Sequence, residues 1–122
     1  MRALSGGEVL AACALVLAGC DLLDPGTCTT EFVYGVTVEA FSEVDGTPVT
    51  EGLAGVLAEG SWSEEMMRVE NWLLGAGERA GRYTATVTAP GFEPWIETGI
   101  RVDQGRCHVT RVRLRADLVP TG

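Results

Sequence analysis

From residue 31 onward, apolar and polar residues alternate with a period of two, which marks half-buried strands rather than helices. Phe32, Tyr34, Val36, Val38 and Ala40 occupy one parity, with Glu31, Thr37 and Glu39 on the other. Ser42-Glu43-Val44-Asp45-Gly46-Thr47-Pro48 follows as turn chemistry, because Asp-Gly accepts a positive φ and proline cannot donate to a ladder. Residues 52–59 fit a strand despite Leu53, Val56 and Leu57 at helical spacing. Residues 66–74 predict one strand, with Met67, Val69 and Leu73 on one face and Arg68, Glu70 and Trp72 on the other. Residues 75–81 predict a loop. Tyr83, Ala85, Val87 and Ala89 then alternate with Thr84, Thr86 and Thr88, giving the clearest strand of all. After Ala89-Pro90-Gly91, Phe92, Ile96, Ile100 and Val102 oppose Glu93, Trp95, Glu97 and Arg101, with Gly99 a candidate bulge. A last strand buries Val112, Leu114 and Ala116 and exposes Arg111, Arg113 and Arg115. Six to seven short strands with turns every ten residues or so predict an all-β fold, a small antiparallel β-sandwich.

The first residues read differently. A mostly apolar run ends in Leu17-Ala18-Gly19-Cys20 and is shorter than the roughly twenty residues that cross a bilayer. This box resembles a bacterial lipoprotein signal peptide. The resemblance implies cleavage between Gly19 and Cys20 and a diacylglyceryl group on the Cys20 thiol. The expected organisation is signal peptide 1–19, lipidated tether 20–30, domain 31–118 and tail 119–122. Location follows as the bacterial cell envelope, lipid-anchored to a membrane and facing the periplasm or cell surface.

Charge narrows the partners. The 122 residues hold nine arginines, no lysine and seventeen acids, a net charge of −8. That balance disfavours nucleic acid, whose phosphates call for a basic surface. Four cysteines suggest two bridges until the signal is removed. Cys13 then leaves and Cys20 carries lipid, so Cys28 and Cys107 remain, and an exported pair meets an oxidising compartment. A Cys28–Cys107 disulfide is predicted, tying the start of the domain to its last strand. The alternative, Cys107-His108 as a nucleophile and base or as metal ligands, fails on two counts. Adjacent strand residues face opposite ways, and His108 is the sole histidine, so no zinc set can form. No metal or other cofactor is expected.

Gly35-Val36-Thr37-Val38, Asp45-Gly46-Thr47-Pro48-Val49 and Gly81-Arg82-Tyr83-Thr84-Ala85-Thr86-Val87-Thr88-Ala89-Pro90-Gly91-Phe92 together resemble a carboxypeptidase regulatory-like domain. The resemblance implies a prealbumin-like sandwich completed by a strand near Val109 to Leu114, and a non-catalytic role that brings no active-site residues with it. Residues 50–78 depart from the pattern. Ureide-pathway hydrolases of related fold resemble a set with several histidines, which this chain lacks.

Candidate contact residues lie on outer faces. Arg111, Arg113 and Arg115 form a basic row that either grips an anionic polymer or phospholipid head group or is solvated and paired with Glu31 or Glu39. Trp72 and Trp95 fall on polar parity, Trp95 between Glu93 and Glu97, where they either stack on sugars and proteins or, after a bulge, pack inward. Glu64-Glu65 could do acid-base work only if buried. The expected function is a lipid-anchored, extracytoplasmic module for binding or structure, without catalysis. One alternative is an inhibitor or accessory lipoprotein pressing a loop such as 75–81 onto an envelope enzyme. The other is a carbohydrate or peptidoglycan binder using both tryptophans.

Overall fold

In the computed structural model, residues 28–122 are described, and the predicted signal peptide, its cleavage site and Cys20 lie outside them. Residues 31–122 form one compact unit. It is an all-β sandwich of two four-stranded sheets, with no helix among the described residues. The strands are β1 Tyr34–Ser42, β2 Ala54–Glu59, β3 Trp62–Glu65, β4 Met67–Val69, β5 Trp72–Gly77, β6 Gly81–Thr88, β7 Trp95–Val102 and β8 Val112–Leu118.

Hairpins alternate between the layers. One sheet runs β4-β5-β1-β8 and the other β3-β2-β6-β7. Every pairing is antiparallel except β1 with β8, which are parallel, so the first and last strands lie side by side.

The predicted strand over 66–74 is instead a hairpin, and this is a correction. Glu70 and Asn71 form a two-residue turn, with Val69 opposite Trp72 and Glu70 at φ 56°. Asn71 is the single turn-type residue there and Glu70 beside it is a poor one, so the local signal is weak. The turn's cause is tertiary: Asn71 is buried, its Nδ2 donates to the Ala40 carbonyl at 3.0 Å, and its own carbonyl accepts the Ala40 N–H at 2.9 Å. The turn shifts parity, so Met67 and Val69 are exposed while Leu73 is fully buried. Trp62–Glu65 is a further strand reached through a turn opened by Gly60, at φ 58°. The predicted loop 75–81 is also shorter, because β5 continues to Gly77.

Between the sheets, two leucines and two glycines interlock. A methyl group on Gly55 of β2 would stand 2.8 Å from Leu73 of β5, and one on Gly75 of β5 would stand 2.7 Å from Leu57 of β2. Each leucine therefore occupies space that the facing glycine leaves open, which draws the layers together. Around them Val36, Val38, Ala40, Tyr83, Ala85, Val87, Ile100, Ala116 and Leu118 complete the core.

The bulge at Gly99 is present. Gly99 sits at φ 68°, and Tyr83 pairs with Ile100 while Ala85 pairs with Glu97, so Thr98 and Gly99 together oppose Thr84. The extra residue reverses the parity of the first half of β7. Trp95 accordingly packs against the core and Ile96 is 60% exposed, the opposite of the sequence pattern.

Candidate functional site

Cys28 and Cys107 are joined in a disulfide, as the cysteine count predicts. Cys107 is not in the last strand, however. It lies with His108 in a bend between β7 and β8, the crossover from one sheet to the other.

His108 has a carboxylate beside it: its Nδ1 donates to Glu78 Oε2 at 2.6 Å. The same carboxylate accepts the Val33 N–H at 2.9 Å and, through Oε1, the Val109 N–H at 3.4 Å. Burial pushes the Glu78 carboxyl up, but the hydrogen bonds from Val33, His108 and Val109 together outweigh it and leave it below its ordinary value. Glu78 thus fastens the entry to β1 and the β7–β8 bend to the end of β5. This is a clamp on backbone, and the sequence offered no sign of it.

Beside the clamp, Arg79 is held by three neighbouring side chains. Its guanidinium stacks 3.9 Å above Trp62, donates to Glu59 at 2.8 Å and to the Tyr83 hydroxyl at 3.0 Å, and that hydroxyl donates back to the Arg79 carbonyl. Glu59 also accepts the Arg82 N–H, and that bond, followed by the one from Arg79, lowers its carboxyl. Residues 78–80 are therefore tied down rather than presented as a protruding loop. The paired carboxylates divide as well: Glu64 is half-buried and accepts the Ala76 N–H at 2.8 Å, whereas Glu65 is exposed.

The outer face of the β4-β5-β1-β8 sheet has a different character. The strand registers place Met67, Leu74, Thr37 and Arg113 in one transverse row, and Val69, Trp72, Glu39 and Arg115 in the next. Tyr34, Thr37, Trp72, Leu74, Arg111 and Arg113 line an open groove of about 320 Å³ there. Aromatic rings are half-buried in its floor, and both arginines are exposed at its rim. Among the described residues neither Arg111 nor Arg113 makes an ion pair. Arg115 differs: it bonds Asp117 at 2.9 Å and stacks 3.9 Å over Phe41. The expected partner Glu39 lies beside Arg115 in register, but the ion pair goes to Asp117.

The candidate residues thus separate into two groups. Trp72, Arg111 and Arg113 converge on one groove. Trp95 belongs to the other sheet with its ring against the core, while Glu93 and Glu97 are exposed nearby. The two tryptophans form no common stacking platform. What the sequence missed was Tyr34 as a groove residue, because its parity with Val36 and Val38 reads as core.

The second groove, about 350 Å³, lies among Ser42, Asp45, Thr47, Glu51, Pro90 and Phe92. Asp45 is already engaged there, since the Thr47 N–H and then the Thr47 hydroxyl bond its carboxylate and lower it. No protein-family model and no curated protein matches this chain.

Proposed function

We infer that this chain is a lipid-anchored, extracytoplasmic lipoprotein whose β-sandwich, of the carboxypeptidase regulatory-like type, is a non-catalytic binding module with its contact face on the β4-β5-β1-β8 sheet. One observation carries the reading: among the described residues Arg111 and Arg113 make no ion pair, and they stand beside half-buried Trp72 and Tyr34 in an open groove. Structural arginines in this fold look different, as Arg79 does with its two hydrogen-bond partners and its stacked ring. Arginines left free next to exposed aromatic surface are typical of residues that become buried by a partner. The disulfide supports an oxidising compartment and hence export.

The non-catalytic reading draws on the Glu78–His108 pair, whose carboxylate oxygens are directed at the backbone of Val33 and Val109. Such a pair positions chain segments. Intact mass of membrane-extracted protein tests the anchor: loss of residues 1–19 with added acyl chains is expected, and an unprocessed Met1 terminus overturns it. Alkylation of denatured, unreduced protein should leave Cys28 and Cys107 unlabelled. Crosslinking in the native membrane tests the contact face, with adducts expected at the Trp72 groove and no adducts there counting against it.

A further inference from the structure

We propose that the Trp72–Arg111–Arg113 face rests on the anionic head groups of the membrane that carries the lipid anchor. This rests on the anchored-lipoprotein reading above and names what its contact face meets.

Three observations converge on it. The first is the chemistry of the face. Exposed Met67 and Val69 on β4 lead through half-buried Leu74 and Trp72 to Tyr34, and then to Arg111 and Arg113. Apolar side chains and indole rings that grade into arginines suit the boundary between acyl chains and phosphates, where the ring lies at head-group level and the guanidinium pairs with phosphate. Glu39 shares the row of Trp72 and sits beside Arg115, whose own charge goes to Asp117, so the face carries one carboxylate on the side away from Arg111.

The second is the tether. The disulfide fixes Cys28 to Cys107, and both arms lead into the groove, six residues on from Cys28 to Tyr34 and four on from Cys107 to Arg111. The eight steps from Cys20 to Cys28 span at most about 28 Å however they are arranged. An anchor on Cys20 is thereby kept within reach of the arginines. Arg106, exposed beside Cys107, adds positive charge to the same end.

The third is size. Four strands and three rows of side chains cover on the order of 400 Å², well short of the roughly 800 Å² per partner in a stable protein interface. A surface that small is useful when something else supplies proximity, and a short tether gives an effective concentration in the millimolar range. The bilayer is the one partner that the anchor delivers in this way. For a chain of net charge −8, these arginines also decide which side faces an anionic surface, because acids farther than about 10 Å away are largely screened.

The test uses the acylated full-length mature protein in vesicles of phosphatidylglycerol and phosphatidylcholine. A photoreactive benzophenone side chain is placed at Met67 or, as a control, at Ile96, which is at least as exposed on the outer face of the other sheet. Lipid adducts are expected several-fold more often from position 67. Arg111→Glu with Arg113→Glu should lower that yield by about twentyfold or more, given about fivefold per arginine at an anionic surface. High salt should act in the same direction on the unaltered protein, which keeps the test informative should the double variant fold poorly. Equal yields from both positions overturn the proposal, as does a yield from position 67 that ignores both charge reversal and salt. In native membranes, a protein adduct at position 67 in place of lipid overturns it in favour of an acidic protein partner. Intact mass keeps the two claims apart: a chain without acyl groups removes the anchor, whereas an acylated chain whose position 67 never meets lipid removes the docking face alone.

Discussion

The two sheets are alike on the inside and unlike on the outside. Inside, each contributes one large leucine and one glycine to the same interlock, Leu73 with Gly75 and Leu57 with Gly55. Outside, the central strands β2 and β6 of the β3-β2-β6-β7 sheet pair Ala54, Val56 and Ala58 with Thr88, Thr86 and Thr84, small side chains, with Glu65, Ile96, Arg82 and Arg101 toward its flanks. The outer face of β4-β5-β1-β8 instead mixes Trp72, Tyr34, Glu39, Arg111 and Arg113. Packing requirements explain the likeness, since both inner faces must fill one core. They do not explain Arg111 and Arg113, which make no ion pair among the described residues and, unlike Arg82 on the other sheet, line a groove with aromatic rings, the setting on which the proposed contact face rests.

The largest effect should come from the crossover that joins the layers. Removing the Cys28–Cys107 bond releases a loop constraint of nearly eighty residues and should destabilise by about 4 to 5 kcal/mol by the chain-entropy relation. Denaturant unfolding with and without reductant measures it, and equal midpoints would show that the crossover holds without its staple.

Next come the interlocking leucines. Leu57→Ala and Leu73→Ala should each destabilise by about 2 to 5 kcal/mol, and similarly to one another if the sheets are equal inside. A large inequality would show that one layer dominates the core. Gly75→Val should also destabilise, by about 1 to 3 kcal/mol, because the site is already filled by Leu57.

A smaller effect concerns the Glu78 clamp. The folded carboxyl lies below its ordinary value of 4.5, so its contribution is fully present above that pH and is lost as pH falls through the folded value. Glu78→Gln should therefore flatten the loss of stability below about pH 4.5. A melting series in acid checks the sign, and an unchanged acid limb would remove the clamp.

The smallest effects belong to the outer faces. Arg111→Glu with Arg113→Glu, and Thr84→Ala with Thr86→Ala, should each stay within about 1 kcal/mol in stability. Only the arginine pair should change membrane docking. Threonine variants with the same docking defect would erase the distinction between the faces.

Much of this architecture is legible in period-two alternation. Tyr83, Ala85 and Val87 are buried as their pattern indicates, and the predicted parity holds from Val36 to Ala40 in β1 and from Val112 to Ala116 in β8, whereas Phe32 is exposed and Tyr34 lines the outer groove. The failures have physical causes that act at a distance. The β4–β5 turn is made by Asn71 bonding Ala40, thirty-one residues away, so no local window contains it. The Gly99 bulge was visible as a glycine, but its effect on Trp95 depends on which residue of β6 stands opposite. The groove was half legible: the arginine row and Trp72 each stood out, yet their meeting follows from a parallel pairing of the two ends of the chain. A carboxylate aimed at two distant segments, as Glu78 is at Val33 and at His108-Val109, leaves no trace in spacing at all.

That parallel pairing bears on the timing of folding. β1 is an interior strand of its sheet, and the neighbour it needs on one side, β8, is the last strand to emerge in synthesis. Val36 meets Val112 across almost the whole domain, so the loop-closure entropy of this contact must be overcome before it gives anything back. A chain short of β8 leaves one edge of β1 without its ladder and part of the core open. Refolding in the millisecond-to-second range is expected for such non-local pairing. Completion of the domain is therefore expected to wait on its final strand, however early the β2–β7 hairpins form.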